Sequence, residues 1–243
     1  MPAEIELIHG ESLATLKQLR REERRFSALI TDPPYSSGGI GLSSKTRRTS
    51  SKYQNGNAQK KHPEFLGDSR DQLSWMTWYT LWLSAAQPLL IPGAPVMLFT
   101  DWRQLGATIN ALQSGGFCYR GVAVWVKNNA RPVPNGFRQR SEFIVIGSNG
   151  DRYRNDKPKY HDNIIQASVP ATKHRIHSTQ KPVELMEQLM DAVPDVGLPV
   201  LDLFAGSGST LVAASNKGIP CVGVEQSEEI YTLALQRLDE LKN

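Results

Sequence analysis

Apolar positions fall into short runs separated by longer periodic stretches. Glu4-Ile5-Glu6-Leu7-Ile8 alternates polar and apolar residues and predicts a strand. A turn at His9-Gly10-Glu11-Ser12 leads into a helix over residues 13–24, with Leu13, Leu16 and Leu19 on one side. The apolar run at 26–31 predicts a buried strand, which must stop at Asp32-Pro33-Pro34-Tyr35. The first proline pushes Asp32 out of helical geometry, and two successive prolines remove two backbone donors. A carboxylate, a bare carbonyl and an aromatic ring are thus presented on a stiff backbone at the carboxyl end of a strand. Open α/β sheets bind ligands there. Taken alone, the stretch reads equally as a plain strand exit through a turn.

The alternation continues. A helix over 71–90, dense in Trp75, Trp78, Tyr79 and Trp82, is expected to pack on the sheet. Strands at 94–100 and 119–126 flank a helix at 103–114. A strand at 142–147 follows through the short kind of connection that joins antiparallel neighbours. Residues 148–176 are polar and basic with no clear period. A helix over 183–192, a strand over 200–204, a small-residue helix to about Lys217, a strand at 221–225 and a helix over 228–241 complete the chain. Strands alternating with helices indicate an α/β fold, and 243 residues suit one domain over 1–243.

Charge sharpens this picture. Ten acidic and three basic residues follow position 182, a net of −7, so residues 1–182 carry +11 of the overall +4. Such asymmetry fits one face or loop set for a polyanion. Residues 36–62 hold Lys45, Arg47, Arg48, Lys52, Lys60 and Lys61 and no acid. We read 36–70 as a mobile basic loop insertion, suited to phosphate contacts that order on binding. A solvated insertion without a ligand is the other reading. Cys118 and Cys221 lie far apart, with no metal-ligand spacing nearby. They are expected to be reduced, mostly buried thiols in a cytoplasmic protein. No signal-peptide core or membrane span is apparent, and no metal site is expected.

A second site lies near the end. Strand, Ala205-Gly206-Ser207-Gly208-Ser209-Thr210, helix, strand and terminal Glu225 describe one nucleotide-binding half-fold. Glu225 lies 19 residues after Gly206, where an acid can accept hydrogen bonds from both ribose hydroxyls. Leu211 stands where dinucleotide folds have a third glycine. That suits a nucleoside ligand without a pyrophosphate better than a nicotinamide or flavin dinucleotide.

These stretches together resemble the β class of amino-group DNA methyltransferases, the N-4/N-6 DNA methylase family. DLFAGSGST at 202–210 resembles its S-adenosylmethionine motif and DPPY at 32–35 its catalytic motif. HSTQKPVEL at 177–185 is similar to a third signature, with Ser178 where proline is usual. IHGESL looks like the strand and turn bordering the cofactor's adenine, with Glu11 where aspartate is more usual. The resemblance covers nearly the whole chain. It implies a circularly permuted, Rossmann-like methyltransferase fold: a mostly parallel seven-stranded sheet with one antiparallel strand and helices on both faces. The strand ending at 204 would lie beside the strand ending at 31.

The resemblance also implies roles. Asp32 and the Pro33 carbonyl would accept both hydrogens of an exocyclic amino group, Pro34 would stiffen the turn, and Tyr35 would stack on the flipped base. Phe204, Asp202, Gly206, Gly208, Glu225 and Glu11 would serve the cofactor, S-adenosylmethionine. Asp101, Thr179 and Lys181 are candidate contacts to its methionine part, with cap or surface-charge roles as the alternative. Trp125 reads as core and His177 as a turn residue. The candidate DNA-recognition region is 130–176, with Arg131, Arg138 and Arg140 beside the basic loop. Aspartate at the first motif position favours adenine N6 over cytosine N4 by family pattern. The expected partner is duplex DNA; a homodimer, and pairing with a restriction enzyme, are left open. An RNA methyltransferase and a catalytically inactive nucleic-acid-binding module are the competing readings.

Overall fold

The computed structural model describes residues 3–36, 70–128, 130, 132–154, 159–169 and 180–240. Eight strands form one sheet: β1 (Ile5–His9), β2 (Ala28–Thr31), β3 (Pro95–Thr100), β4 (Cys118–Val126), β5 (Ser141–Ser148), β6 (Ile164–Gln166), β7 (Val200–Asp202) and β8 (Cys221–Glu225). Their order across the sheet is β1-β8-β7-β2-β3-β5-β4-β6. Only β5 runs against its neighbours, pairing antiparallel with both β3 and β4.

Six helices cover the two faces. α1 (Ser12–Arg21), α2 (Gln72–Ala86) and α3 (Leu105–Ser114) lie on one. Their core is led by Leu16, Leu19, Trp75, Tyr79, Trp82 and Leu112. α4 (Val183–Met190), α5 (Ser209–Lys217) and α6 (Glu228–Glu240) supply Leu185, Met186, Leu211, Ala214 and Leu238 to the other. β2 is buried at all four positions, as a central parallel strand covered on both faces must be.

The expected elements are present, with instructive changes at their ends. α1 stops at Arg21 because Glu23 takes a left-handed conformation (φ 54°). α2 ends at Ala86 and passes into a 3-10 turn, Gln87–Leu89, where Pro88 cannot continue the α-helical ladder. β7 is three residues long, since the chain leaves the sheet at Leu203 to build the glycine turn. The sheet has eight strands where seven were expected. The extra one, β6, pairs parallel with β4 inside the stretch that shows no period. Three residues, Ile164-Ile165-Gln166, are too short to display one. Cys221 is buried as expected, but Cys118 is exposed, because it opens β4 at the rim of the sheet.

β7 lies beside β2 in parallel register, Ala28 opposite Val200 and Leu29 opposite Leu201. The chain runs outward from this pair in both directions, through β3 on one side and β8 on the other. Such a reversal leaves a crevice at the carboxyl ends of the two strands. Asp32 and the glycine turn both open into it.

Candidate active site

The crevice holds about 620 Å³ and is lined by Asp32-Pro33-Pro34-Tyr35, Phe204-Ala205-Gly206, Glu11, Asp101, Lys181 and Glu225. Residues far apart in sequence therefore share one cleft. Its two halves are joined at the switch point. Thr31 Oγ1 donates to Asp202 Oδ1 at 2.7 Å, and Phe204 N–H donates to the same oxygen at 3.1 Å.

The Asp32 turn is fixed from outside itself. Trp75 Nε1, on the buried face of α2, donates to the Pro34 carbonyl at 2.8 Å. Gln104 Nε2 donates to the Tyr35 carbonyl at 3.0 Å. Ser36 then takes a left-handed conformation (φ 52°), and its Oγ accepts from Arg70 N–H at 3.4 Å. No described donor pairs with the Pro33 carbonyl, which stands at the cleft wall.

Both oxygens of Asp32 are engaged. Tyr35 Oη donates to Oδ1 at 2.6 Å, and Lys181 Nζ donates to Oδ2 at 2.5 Å. Burial pushes the Tyr35 phenol well above its ordinary range, and the Asp32 and Glu142 carboxylates add to this, so it stays a donor. Burial opposes the Lys181 charge, but Asp32 and Glu142 outweigh it and raise that ammonium above the usual lysine value.

The glycine turn faces them. Gly206 and Gly208 both have positive φ, 53° and 76°, which explains glycine at each. Gly206 N–H donates to Glu225 Oε2 at 3.0 Å, and Ser227 N–H donates to Oε1 at 2.7 Å. Burial raises Glu225, while these backbone donors oppose the shift. Each carboxylate oxygen keeps a further lone pair for a hydroxyl donor. Phe204 stands edge-on to Trp78 and Trp82, at centroid distances of 5.5 and 5.4 Å. A fixed ring, a left-handed glycine turn and an acid at the next strand's end fit an adenosine-sized ligand.

Other expected residues take quieter places. Glu11 lines the cleft and caps α1, accepting from Ala14 N–H at 2.9 Å. Asp202 is buried, with its carboxylate turned to Thr31, Phe204 N–H and Thr210. Asp101 lines the cleft but is closed on Arg103, at 2.7 Å, and on the backbone of its own turn. Lys181, expected at the donor's methionine part, has its ammonium on Asp32. Trp125 is buried, as expected, and also reaches the cleft wall. Arg138 and Arg140 are exposed on the β4–β5 connection, where Arg140 Nε donates to the Lys127 carbonyl at 3.0 Å. Thr179, His177, Arg131, Lys45, Arg47, Arg48, Lys52, Lys60 and Lys61 lie outside the described residues.

Four cleft residues gave no sequence signal: Trp75, which holds the turn, Glu142 and Lys127, which flank Lys181, and Trp102 at the mouth. Glu142 was legible only as the start of a strand. Among the described residues no cluster of three or more metal-ligating side chains forms, and no helix is long and apolar enough to cross a membrane.

Comparison with known proteins decides the family. The family model for N6/N4 DNA methylases matches residues 26–236. The chain belongs to that family. Its relatives include the type II methyltransferase M.HindIII of Haemophilus influenzae, 23% identical over 302 residues covering 98% of this chain and 96% of that one. Another is the type II methyltransferase M2.DpnII of Streptococcus pneumoniae, 25% identical over 251 residues covering 96% and 89%. Among solved structures, the M1.HpyAVI–SAM complex superposes with a TM-score of 0.71 at 22% identity, covering 97% and 99%. The cytosine-N4-specific PvuII DNA methyltransferase gives 0.69 at 14% identity, covering 98% and 87%. These superpositions share the fold of the N6/N4 DNA methylase described here.

Proposed function

We propose that this chain transfers a methyl group from S-adenosylmethionine to the exocyclic N6 of an adenine flipped out of duplex DNA. The observation that carries the reading is the shared cleft, in which the Asp32-Pro33-Pro34-Tyr35 turn faces the Gly206 turn and Glu225. Family membership supports methylation of an amino group on a DNA base.

Bound S-adenosylmethionine supplies a methyl group activated by a sulfonium. The glycine turn, Phe204 and Glu225 hold its adenosine part. An exocyclic amino group is a poor nucleophile because its lone pair is delocalised into the ring. Asp32 and the Pro33 carbonyl each accept one of its N–H hydrogens, which turns the lone pair towards the methyl carbon. The new N–C bond forms as the C–S bond breaks, and Asp32 stabilises the positive charge that develops on nitrogen. Holding both reactants in line contributes much of the rate. Tyr35 stacks on the base, an interaction worth ~1–3 kcal/mol. Arg138 and Arg140, with the basic residues of 36–70, hold phosphates, and such contacts position the duplex without reading its sequence.

Aspartate at the first motif position supports adenine over cytosine. The test is to incubate the protein with labelled S-adenosylmethionine and mixed-sequence duplex DNA, digest, and identify the modified nucleoside. N6-methyladenine is expected. N4-methylcytosine would overturn the base assignment, and label entering RNA alone would overturn the substrate.

A further inference from the structure

Lys181 occupies an unusual place. Its side chain is only 7% exposed, and its Nζ lies 2.5 Å from Asp32 Oδ2, 3.2 Å from Tyr35 Oη and 3.7 Å from Glu142 Oε2. The rings of Tyr35 and Phe99 wall it in, with centroids 5.4 and 5.1 Å away. Its backbone is pinned, since Ser209 Oγ donates to the Lys181 carbonyl at 2.8 Å. On the far side, Lys127 Nζ lies 3.9 Å from Glu142 Oε1. Asp32, Lys181, Glu142 and Lys127 therefore form a row of alternating charge along the cleft wall.

This row creates a competition at Asp32. Tyr35 holds one carboxylate oxygen and an ammonium holds the other. A hydrogen bond from an ammonium is roughly twice as strong as one from a neutral amino group. The target amino group therefore engages Asp32 fully only if Lys181 gives way. A buried ammonium left without an anion is costly. Glu142 removes that cost: to reach an ordinary charged hydrogen-bond length it need close on Nζ by only about 1 Å.

We propose that Glu142 is a positioning residue for methyl transfer. It keeps Lys181 beside Asp32 in the resting site and receives its ammonium when the target amino group occupies the aspartate. The proposal rests on the reading of Asp32 as the amino-group acceptor. Lys127 balances Glu142 throughout, so the row stays neutral as the lysine moves.

The test compares single-turnover methyl transfer to mixed-sequence duplex DNA for Glu142→Gln, Lys181→Met, the double variant and Asp32→Ala. S-adenosylmethionine affinity and melting temperature serve as folding controls. Glu142→Gln is expected to slow transfer roughly ten- to hundredfold, the span of couplings between contacting charged groups, with both controls near the starting protein. The double variant should be no slower than Lys181→Met, because without the ammonium Glu142 has nothing to receive. Glu142→Asp, which keeps the charge, should recover most of the rate and tests the role even if the glutamine variant folds poorly. Losses that multiply in the double variant, or a Glu142→Asp protein as slow as one lacking the charge, would overturn the proposal. Asp32→Ala that still transfers methyl groups would instead overturn the reading of the site beneath it.

Discussion

Asp202 joins the two halves of the cleft, and its chemistry is set by burial. Desolvation raises its carboxyl to about 6, although hydrogen bonds from Thr210, Thr31 and Phe204 N–H oppose the shift. The folded state therefore holds a proton that the unfolded chain, with an ordinary carboxyl, has already lost. Stability from this group is fully present below the unfolded value near 4 and declines as pH rises through 6. The span corresponds to something on the order of 3 kcal/mol. Asp202→Asn removes the titration. In urea unfolding between pH 4 and 7, the wild-type protein should lose stability relative to this variant as pH rises. A difference that does not change with pH would show that Asp202 does not titrate on folding. The sequence marks this residue as part of a cofactor motif. That its oxygens turn inward, to a threonine 171 positions away, depends on the β2–β7 pairing.

Among elements, legibility followed length and period. The long helices and the strands of the two half-folds could be read from their apolar patterns. β6 could not, because three residues carry no period and its place is set by pairing with β4. The aromatic helix α2 was legible as core, and Trp75, Tyr79 and Trp82 are indeed fully buried. Its second task was hidden. Trp75 Nε1 clamps the Pro34 carbonyl across 41 positions, and only the rotation of the docked helix aims that donor. Trp75→Phe keeps most of the packing and leaves that carbonyl without its partner. The loss should cost about 1–3 kcal/mol in unfolding free energy. Methyl transfer should slow, because the proline turn is no longer held from α2, while cofactor affinity stays close to that of the wild-type protein. A variant with unchanged transfer would show that the turn is stiff enough without the clamp. Lys181 teaches the same lesson. Its motif was legible, but its ion pair with Asp32 spans 149 positions and is a product of the fold.

For the molecule as a whole, the order of the sheet explains why the chain can carry its catalytic turn first and its cofactor turn last. β2 and β7 are neighbours, so the sequence order of the two half-folds has no effect on where their loops meet. The uneven charge, +11 before residue 183 and −7 after it, belongs to this division as well. The half that follows the catalytic turn carries the basic segments, and the half that holds the adenosine site is acidic. A polyanionic substrate and a small cationic sulfonium are thereby served by opposite ends of one chain.

The central claim is that Asp32 belongs to methyl transfer and the Gly206 turn to cofactor binding. Asp32→Ala separates the two. Methyl incorporation into duplex DNA and S-adenosylmethionine affinity by calorimetry should be measured on the same preparation. The account predicts that incorporation is lost while affinity stays within a few-fold of wild type. Retained incorporation, or a collapse of cofactor binding, would contradict it.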